Sequence, residues 1–315
     1  MANGIDRRSF VAQAAALTGA ARWPRPRTTA TRAPRTRLIL LGTGGGPRPR
    51  AASMSSAQVV IVDDVLYVID CGDGVARQLV LAGASLPALR HVFITHHHSD
   101  HNADYGNLLL LSWASGLRQR VDTWGPPPIE RITRLFFEMS AVDIETRIAD
   151  EGRVPLVPLV HAHDLTRDGL VMQDERVKVT CARVEHPMIE HALAYRIDGP
   201  DRSIVVSGDT KRSAALVRLA TGADVLVHEV LYPEAADRLV ARAPNASSFR
   251  RHLLGSHTSA EDAGRVAADA GVKTLVLSHF VPADDPLVTE AMWADAARKH
   301  FGGRIIVGRD LMEIE

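Results

Sequence analysis

Thr95-His96-His97-His98-Ser99-Asp100-His101 is the stretch on which the reading of this chain turns. Imidazole nitrogen and carboxylate oxygen are donors that zinc prefers, and His96, His98, Asp100 and His101 lie on a turn leaving a strand, where they can point into one pocket. Side chains alternate along an extended segment, so His96 and His98 fall on one side and His97 on the other. The turn that follows is expected to swing Asp100 and His101 towards a second metal. His97 is left as a structural residue. The spacing His-x-His-x-Asp-His serves two metals too directly to be a chance cluster.

Outward from this turn, residues 36–315 read as one α/β unit made of two similar halves. Residues 37–41 and 57–70 are β-branched, apolar-rich runs broken by turn residues at 42–46 and at Asp63-Asp64, and a helix over 74–84 leads into a strand at 91–95. Further strands at 177–184, 192–197 and 203–207 precede alternating helices and strands, among them a helix over 259–270 and a strand over 274–278. Clusters of strands followed by α/β alternation suit two mixed sheets packed face to face with helices outside. Residues 141–166, which include Pro155 and Pro158, are irregular and are expected to form a lid-like insertion over the site.

Composition bounds the function classes. The chain has 315 residues, 46% hydrophobic and 23% charged, with formal net charge zero. Seven arginines (Arg7, Arg8, Arg22, Arg25, Arg27, Arg32, Arg35) and only Asp6 among acids precede Thr36, which leaves 30 basic against 36 acidic residues, about −6, in the remainder. Such a balance offers no long-range attraction for a polyphosphate backbone, so a small-molecule substrate is expected and nucleic acid is not. Cys71 and Cys181 lie far apart in sequence and are read as buried free thiols. No segment reaches the length of a membrane span.

Asp6-Arg7-Arg8-Ser9-Phe10-Val11, followed by a mildly apolar run to Ala21 and a Pro/Arg/Thr-rich stretch, has the layout of an export signal and linker over residues 1–35. The paired arginines resemble the twin-arginine signal, which implies a folded protein delivered to the periplasm or secreted.

The motif His96-x-His98-x-Asp100-His101 resembles the signature of the metallo-β-lactamase superfamily, whose members fold as an αββα sandwich with metals at one edge of the sheets. Three more positions match that family: His186 in Val184-Glu185-His186-Pro187, Asp209 in Ser207-Gly208-Asp209-Thr210, and His279 in Leu277-Ser278-His279-Phe280. The resemblance implies one metal on His96, His98 and His186, a second on Asp100, His101 and His279, and Asp209 bridging the two. Two Zn2+ ions per chain are implied, and the same donors can hold other divalent metals such as iron or manganese.

His228-Glu229, His257-Thr258-Ser259-Ala260, Leu41-Gly42-Thr43-Gly44-Gly45 and Trp124-Gly125-Pro126 narrow the resemblance to the ribonuclease Z-like branch, which also contains exported arylsulfatase-like members. In that branch the residues matching Glu229 and His257 form a proton-handling pair beside the metals. Glu229 can equally tie down a loop, and His257 can sit beside the cap of the following helix. RNA-processing members carry a glycine- and basic-rich arm for transfer RNA, whereas residues 144–153 are charge-balanced.

The leading expectation is therefore an exported binuclear zinc hydrolase that cleaves a small phosphate or sulfate ester by attack of a metal-bridging hydroxide, with Asp100 orienting the nucleophile and His257, held by Glu229, protonating the leaving group. A lactonase or β-lactamase of cyclic acyl substrates, a ribonuclease Z-type RNA endonuclease and a non-catalytic metal-binding module are the alternatives. His161 and His163 lack a following Asp-His pair and are expected at the substrate entrance. A homodimer is compatible with the branch.

Overall fold

A computed structural model describes residues 35–241 and 243–315. The expected export signal and linker over residues 1–35 lie outside the described residues except for Arg35.

The chain opens with three strands, β1 (Thr36–Gly42), β2 (Ala57–Val62) and β3 (Val65–Ile69), then α1 (Val75–Leu81), β4 (Leu89–Phe93), the single-turn α2 (Ser99–Asn102) and α3 (Tyr105–Ala114). It continues through β5 (Val121–Gly125), α4 (Ile129–Met139), α5 (Ala141–Glu151), β6 (Val160–Asp164), β7 (Gly169–Gln173), β8 (Lys178–Val184), β9 (Ala192–Asp198) and β10 (Ser203–Val206). The last third holds α6 (Ala214–Ala220), β11 (Val225–Leu231), α7 (Pro233–Val240), α8 (Ala246–Ser256), α9 (Ala260–Ala270), β12 (Thr274–Val281), α10 (Glu290–Arg298), β13 (Arg304–Val307) and β14 (Glu313–Ile314).

The strands form two mixed sheets, ordered β14-β1-β2-β3-β4-β5-β6 and β13-β12-β11-β10-β9-β8-β7. Leu38, Leu40, Tyr67 and Phe93 of the first sheet pack against Val179, Tyr195, Val206 and Val276 of the second, which seals the space between them. The opposite face of the first sheet is covered by Leu79, Leu108, Leu109 and Trp113 from α1 and α3, and that of the second by Leu216, Val266 and Trp293 from α6, α9 and α10. Apolar burial on both faces of each sheet gives an αββα sandwich, as expected.

Two details place side chains at the open edge of this sandwich. Strands β11 and β12 run parallel in register up to Glu229↔Ser278 and resume at Val230↔Phe280, so His279 is an extra residue in β12. Its φ of +46° is the left-handed conformation typical of a bulge, and it turns the imidazole out of the strand's alternation. At the end of β10, Gly208 has φ +59°, and a Cβ there would stand 2.7 Å from the carbonyl oxygen of Leu193. Glycine is needed at that position for the chain to turn Asp209 inward.

Residues 141–166 depart from the expected lid. They form α5, a short 3-10 turn and β6, which pairs in parallel with β5 as the edge strand of the first sheet. Cys71 and Cys181 are buried and unpaired.

Candidate active site

Beyond β4 the chain stays extended through His98 (φ −75°, ψ 148°) and then winds into α2, which turns Asp100 and His101 towards the interior. His98 Nδ1 lies 3.1 Å from His96 Nε2 and 3.3 Å from His186 Nε2. On the far side of the turn, His279 Nε2 lies 3.2 Å from His101 Nε2 and 3.3 Å from Asp100 Oδ2. Asp209 stands between the two groups. Its Oδ2 is 3.9 Å from His96 Nε2, and its Oδ1 is 3.2 Å from His101 Nε2 and 3.3 Å from His279 Nε2. The donor atoms of His96, His98, His186 and Asp209 fall within 4.8 Å of one another, as do those of Asp100, His101, Asp209 and His279. All seven residues expected as ligands thus meet in one place.

The donors fit a pair of cations. Nitrogen lone pairs that face one another at 3.1–3.3 Å repel unless a cation or a proton lies between them, and Asp209 Oδ1 is buried without a hydrogen-bond partner among the described residues. The outward nitrogens are engaged elsewhere. His101 Nδ1 donates to Asp70 Oδ2 at 2.7 Å, His186 Nδ1 donates to the Ser256 carbonyl at 3.1 Å, and His96 Nδ1 meets Thr95 Oγ1 at 3.1 Å. Those bonds orient the rings and leave each Nε2 for a metal. A set of imidazoles and carboxylates without thiolate suits zinc, iron or manganese.

Electrostatics agree with that arrangement. Burial would raise the Asp209 and Asp100 carboxyls, but His279 and His101 around Asp209, and His101 with His279 around Asp100, hold both below the usual carboxylate range. Burial pushes His186 down to about 4, so its imidazole is neutral and able to act as a ligand. Asp100 Oδ2 also accepts the Gly46 amide at 2.7 Å, which ties the glycine-rich loop after β1 to the site.

Glu229 ties down two loops and also faces His257. Its Oε1 accepts the amides of Thr210 and Thr258, each at 3.1 Å, which fixes the loops after Asp209 and His257. Its Oε2 faces His257 Nδ1 at 3.2 Å. Burial alone would lower His257, yet the Glu229 charge raises it to about 9, and the ring stands 3.8 Å from Asp209 Oδ2.

A cavity of about 640 Å³ opens onto the centre, with His98, Asp100, Asp209 and His257 on its floor. Its wall comes from α7 and α8, through Leu239, Phe249 and Leu253, from Val281 at the end of β12, and from Pro282 and Leu287 beyond it. No residue of the expected lid at 141–166 lines it. His163 is also away from this cavity, stacked on Trp124 with ring centres 4.0 Å apart and bonded to Asp122. His97 is structural, as expected: its Nε2 donates to the Pro126 carbonyl at 2.8 Å.

Several participants escaped the sequence reading. Asp70 accepts the amide and hydroxyl of Thr95 as well as His101, and Ser256 holds His186. The one sequence signal for Asp70 is an acid closing an otherwise apolar strand. His252, another cavity-lining imidazole, has no signal of its own.

Comparison with known proteins gives a consistent family. Residues 66–280 match the model described as a β-lactamase superfamily domain. A "Ribonuclease Z" of Mycobacterium bovis (strain BCG / Pasteur 1173P2) is 31% identical over 281 residues, covering 88% of this chain and 97% of the relative. One of Mycobacterium sp. (strain KMS) is 33% identical over 280 residues, covering 88% and 95%. Among solved structures, the short form of human tRNase Z superposes with a TM-score of 0.65 at 20% identity, covering 89% of this chain and 98% of that one. The metallo-β-lactamase fold protein YhfI from Bacillus subtilis gives 0.67 at 19%, with the same coverage.

These relatives overturn the expectation of a phosphate or sulfate ester hydrolase with a small-molecule substrate and no nucleic-acid partner, and favour the ribonuclease Z-type alternative, because relatives matched over nearly their full length bear the name of an RNA-cleaving enzyme. That expectation leaned on net charge summed over the whole body, which does not describe the field at a site, where local groups dominate. With the αββα sandwich, the two donor groups joined by Asp209 and a family match over most of its length, the chain belongs to the metallo-β-lactamase superfamily of hydrolases.

Proposed function

We propose that this chain is a metal-dependent endonuclease that hydrolyses phosphodiester bonds in RNA, a ribonuclease Z-type reaction. The observation that carries the reading is the placement of Asp209, with one carboxylate oxygen facing each donor group and the His257–Glu229 pair beside it. His96, His98 and His186 would hold one divalent cation and Asp100, His101 and His279 the other, zinc being the expected metal. Such a pair of cations supplies Lewis acidity to a phosphate and lowers the pKa of water for in-line attack.

The chain's own residues do the rest. Asp209 links the two donor groups, and Asp100, anchored by Gly46, faces the cavity where the attacking water and the phosphate meet. His257 keeps its proton because Glu229 faces its Nδ1, which leaves Nε2–H for the departing alkoxide oxygen. An alkoxide leaves poorly without a proton, so a diester of ribose makes use of a pair that an activated ester would not need. The relatives named Ribonuclease Z, aligned over 95–97% of their own length, support the choice of RNA over other diesters.

The test is cleavage of a structured RNA with a 3′ extension by the purified, metal-loaded chain. A single internal cut, lost with chelator and in Asp209→Ala, is the expected result. RNA left intact by protein that carries two metals and cleaves a simple phosphodiester would overturn the choice of substrate.

A further inference from the structure

The cavity contains an imidazole that neither donor group uses. His252, on α8, has its ring centre 6.1 Å from that of His98, 6.0 Å from that of His186 and 5.7 Å from that of His257. Its one hydrogen bond among the described residues joins Nδ1 to the Ser256 hydroxyl at 3.4 Å. Ser256 is buried, and its carbonyl accepts from His186 Nδ1, so a single residue couples His252 to the first donor group. A hydroxyl donating to Nδ1 leaves the ring proton on Nε2. On the same helix Phe249 and Leu253 also line the cavity, so His252 is the polar group in an otherwise apolar stretch of wall. Sparse polar groups in an apolar wall are the ones that orient a ligand.

We propose that His252 is a further substrate-contacting residue, whose Nε2–H donates to a non-bridging oxygen of the phosphate held at the two donor groups. The three ring separations bracket a space between His252 and the rings of His98, His186 and His257 that a tetrahedral anion would fill. His257 then serves the leaving oxygen and His252 an oxygen that stays on phosphorus, so two neighbouring imidazoles have different tasks. The assignment rests on the phosphodiester reading of the site, and it does not depend on the polymer being RNA.

The test uses the full-length, zinc-loaded protein, with inorganic phosphate as the probe and RNA cleavage measured alongside. His252→Ala is expected to weaken phosphate binding in calorimetry roughly tenfold to a hundredfold, the range for a hydrogen bond to a charged group. Elemental analysis should still find two zinc ions per chain. His252→Gln, whose amide can donate in place of Nε2–H, should recover part of the affinity. Unchanged phosphate affinity in His252→Ala overturns the proposal, and so does loss of zinc in both variants, which would make His252 only a support for His186. If affinity falls as expected while the unsubstituted protein leaves RNA intact, the phosphate contact stands and the RNA reading fails.

Discussion

His101 donates its Nδ1 proton to Asp70 Oδ2 across 2.7 Å, and both side chains are 1% exposed. Asp70 also accepts the Thr95 amide at 2.8 Å and the Thr95 hydroxyl at 2.9 Å, so it braces both the strand end that launches the histidine turn and the ring that closes it. Loss of such a partner frees the ring and reduces ligand basicity. Asp70→Ala should therefore weaken zinc binding about 10- to 100-fold in a competition titration against a chromogenic chelator. Wild-type affinity in a folded Asp70→Ala protein would show that the turn holds His101 unaided.

The pairing of His257 with Glu229 makes a prediction about leaving groups. A positioned acid contributes about 10²- to 10⁴-fold when the departing oxygen needs a proton, and far less when it does not. His257→Ala should slow RNA cleavage by that order while bis(p-nitrophenyl) phosphate, whose leaving group is a stable phenolate, loses much less. Single-turnover rates on the two substrates decide the matter. Equal losses would assign His257 to holding the site's shape instead.

How much of this was legible in the sequence depends on where each partner sits along the chain. His96, His98, Asp100 and His101 could be read because they are nearly contiguous and strand alternation sorts them. His186, Asp209 and His279 are isolated polar residues after apolar strands, and only their order and context tied them to the histidine turn. Asp70 lies 31 residues from His101, and Ser256 lies 70 from His186, so no local pattern announces either. In the fold, strands buried on both faces stood out as apolar runs, whereas β6, Val-His-Ala-His-Asp, is a half-exposed edge with no such run. Helices α4 and α5 begin without a side-chain cap, which removes the usual start signal and explains why that zone read as irregular.

Asp224, at the foot of β11, gives a pH dependence separate from the site. Burial would raise its carboxyl, but the Lys273 ammonium and the amide and hydroxyl of Ser203 hold it down to about 2. A carboxyl depressed in the folded state stabilises fully above its unfolded pKa, near 3.8, and that stabilisation is lost as pH falls towards 2. After discounting for solvent screening of a partly exposed group, the contribution is about 1 kcal/mol. Asp224→Asn should lower stability by that order at pH 7, as measured by denaturant unfolding, and the gap to wild type should close between pH 4 and pH 2. A gap that stays constant over that range would mean the loss is one of packing.

Gly45 offers a way to disturb one donor group and spare the other. A Cβ at this position would lie 2.8 Å from both Nδ1 and Cε1 of His279 and 2.7 Å from Val281 Cγ2. The backbone there cannot easily retreat, because the Gly45 amide donates to the Phe280 carbonyl and its own carbonyl accepts from Arg50. His279 is the more movable party, since its position rests on a bulge rather than on regular strand geometry. Gly45→Ala should thus displace the imidazole from the group it forms with Asp100, His101 and Asp209, while His96, His98 and His186, which Gly45 does not touch, keep theirs. Calorimetric titration of the metal-free protein with zinc is expected to retain one tight event and weaken the second by about tenfold or more, in line with the effect of losing a ring's alignment. Equal weakening of both events would mean that Asp209 transmits the disturbance across the centre, and two unaltered events would mean that the loop after β1 moves in place of His279.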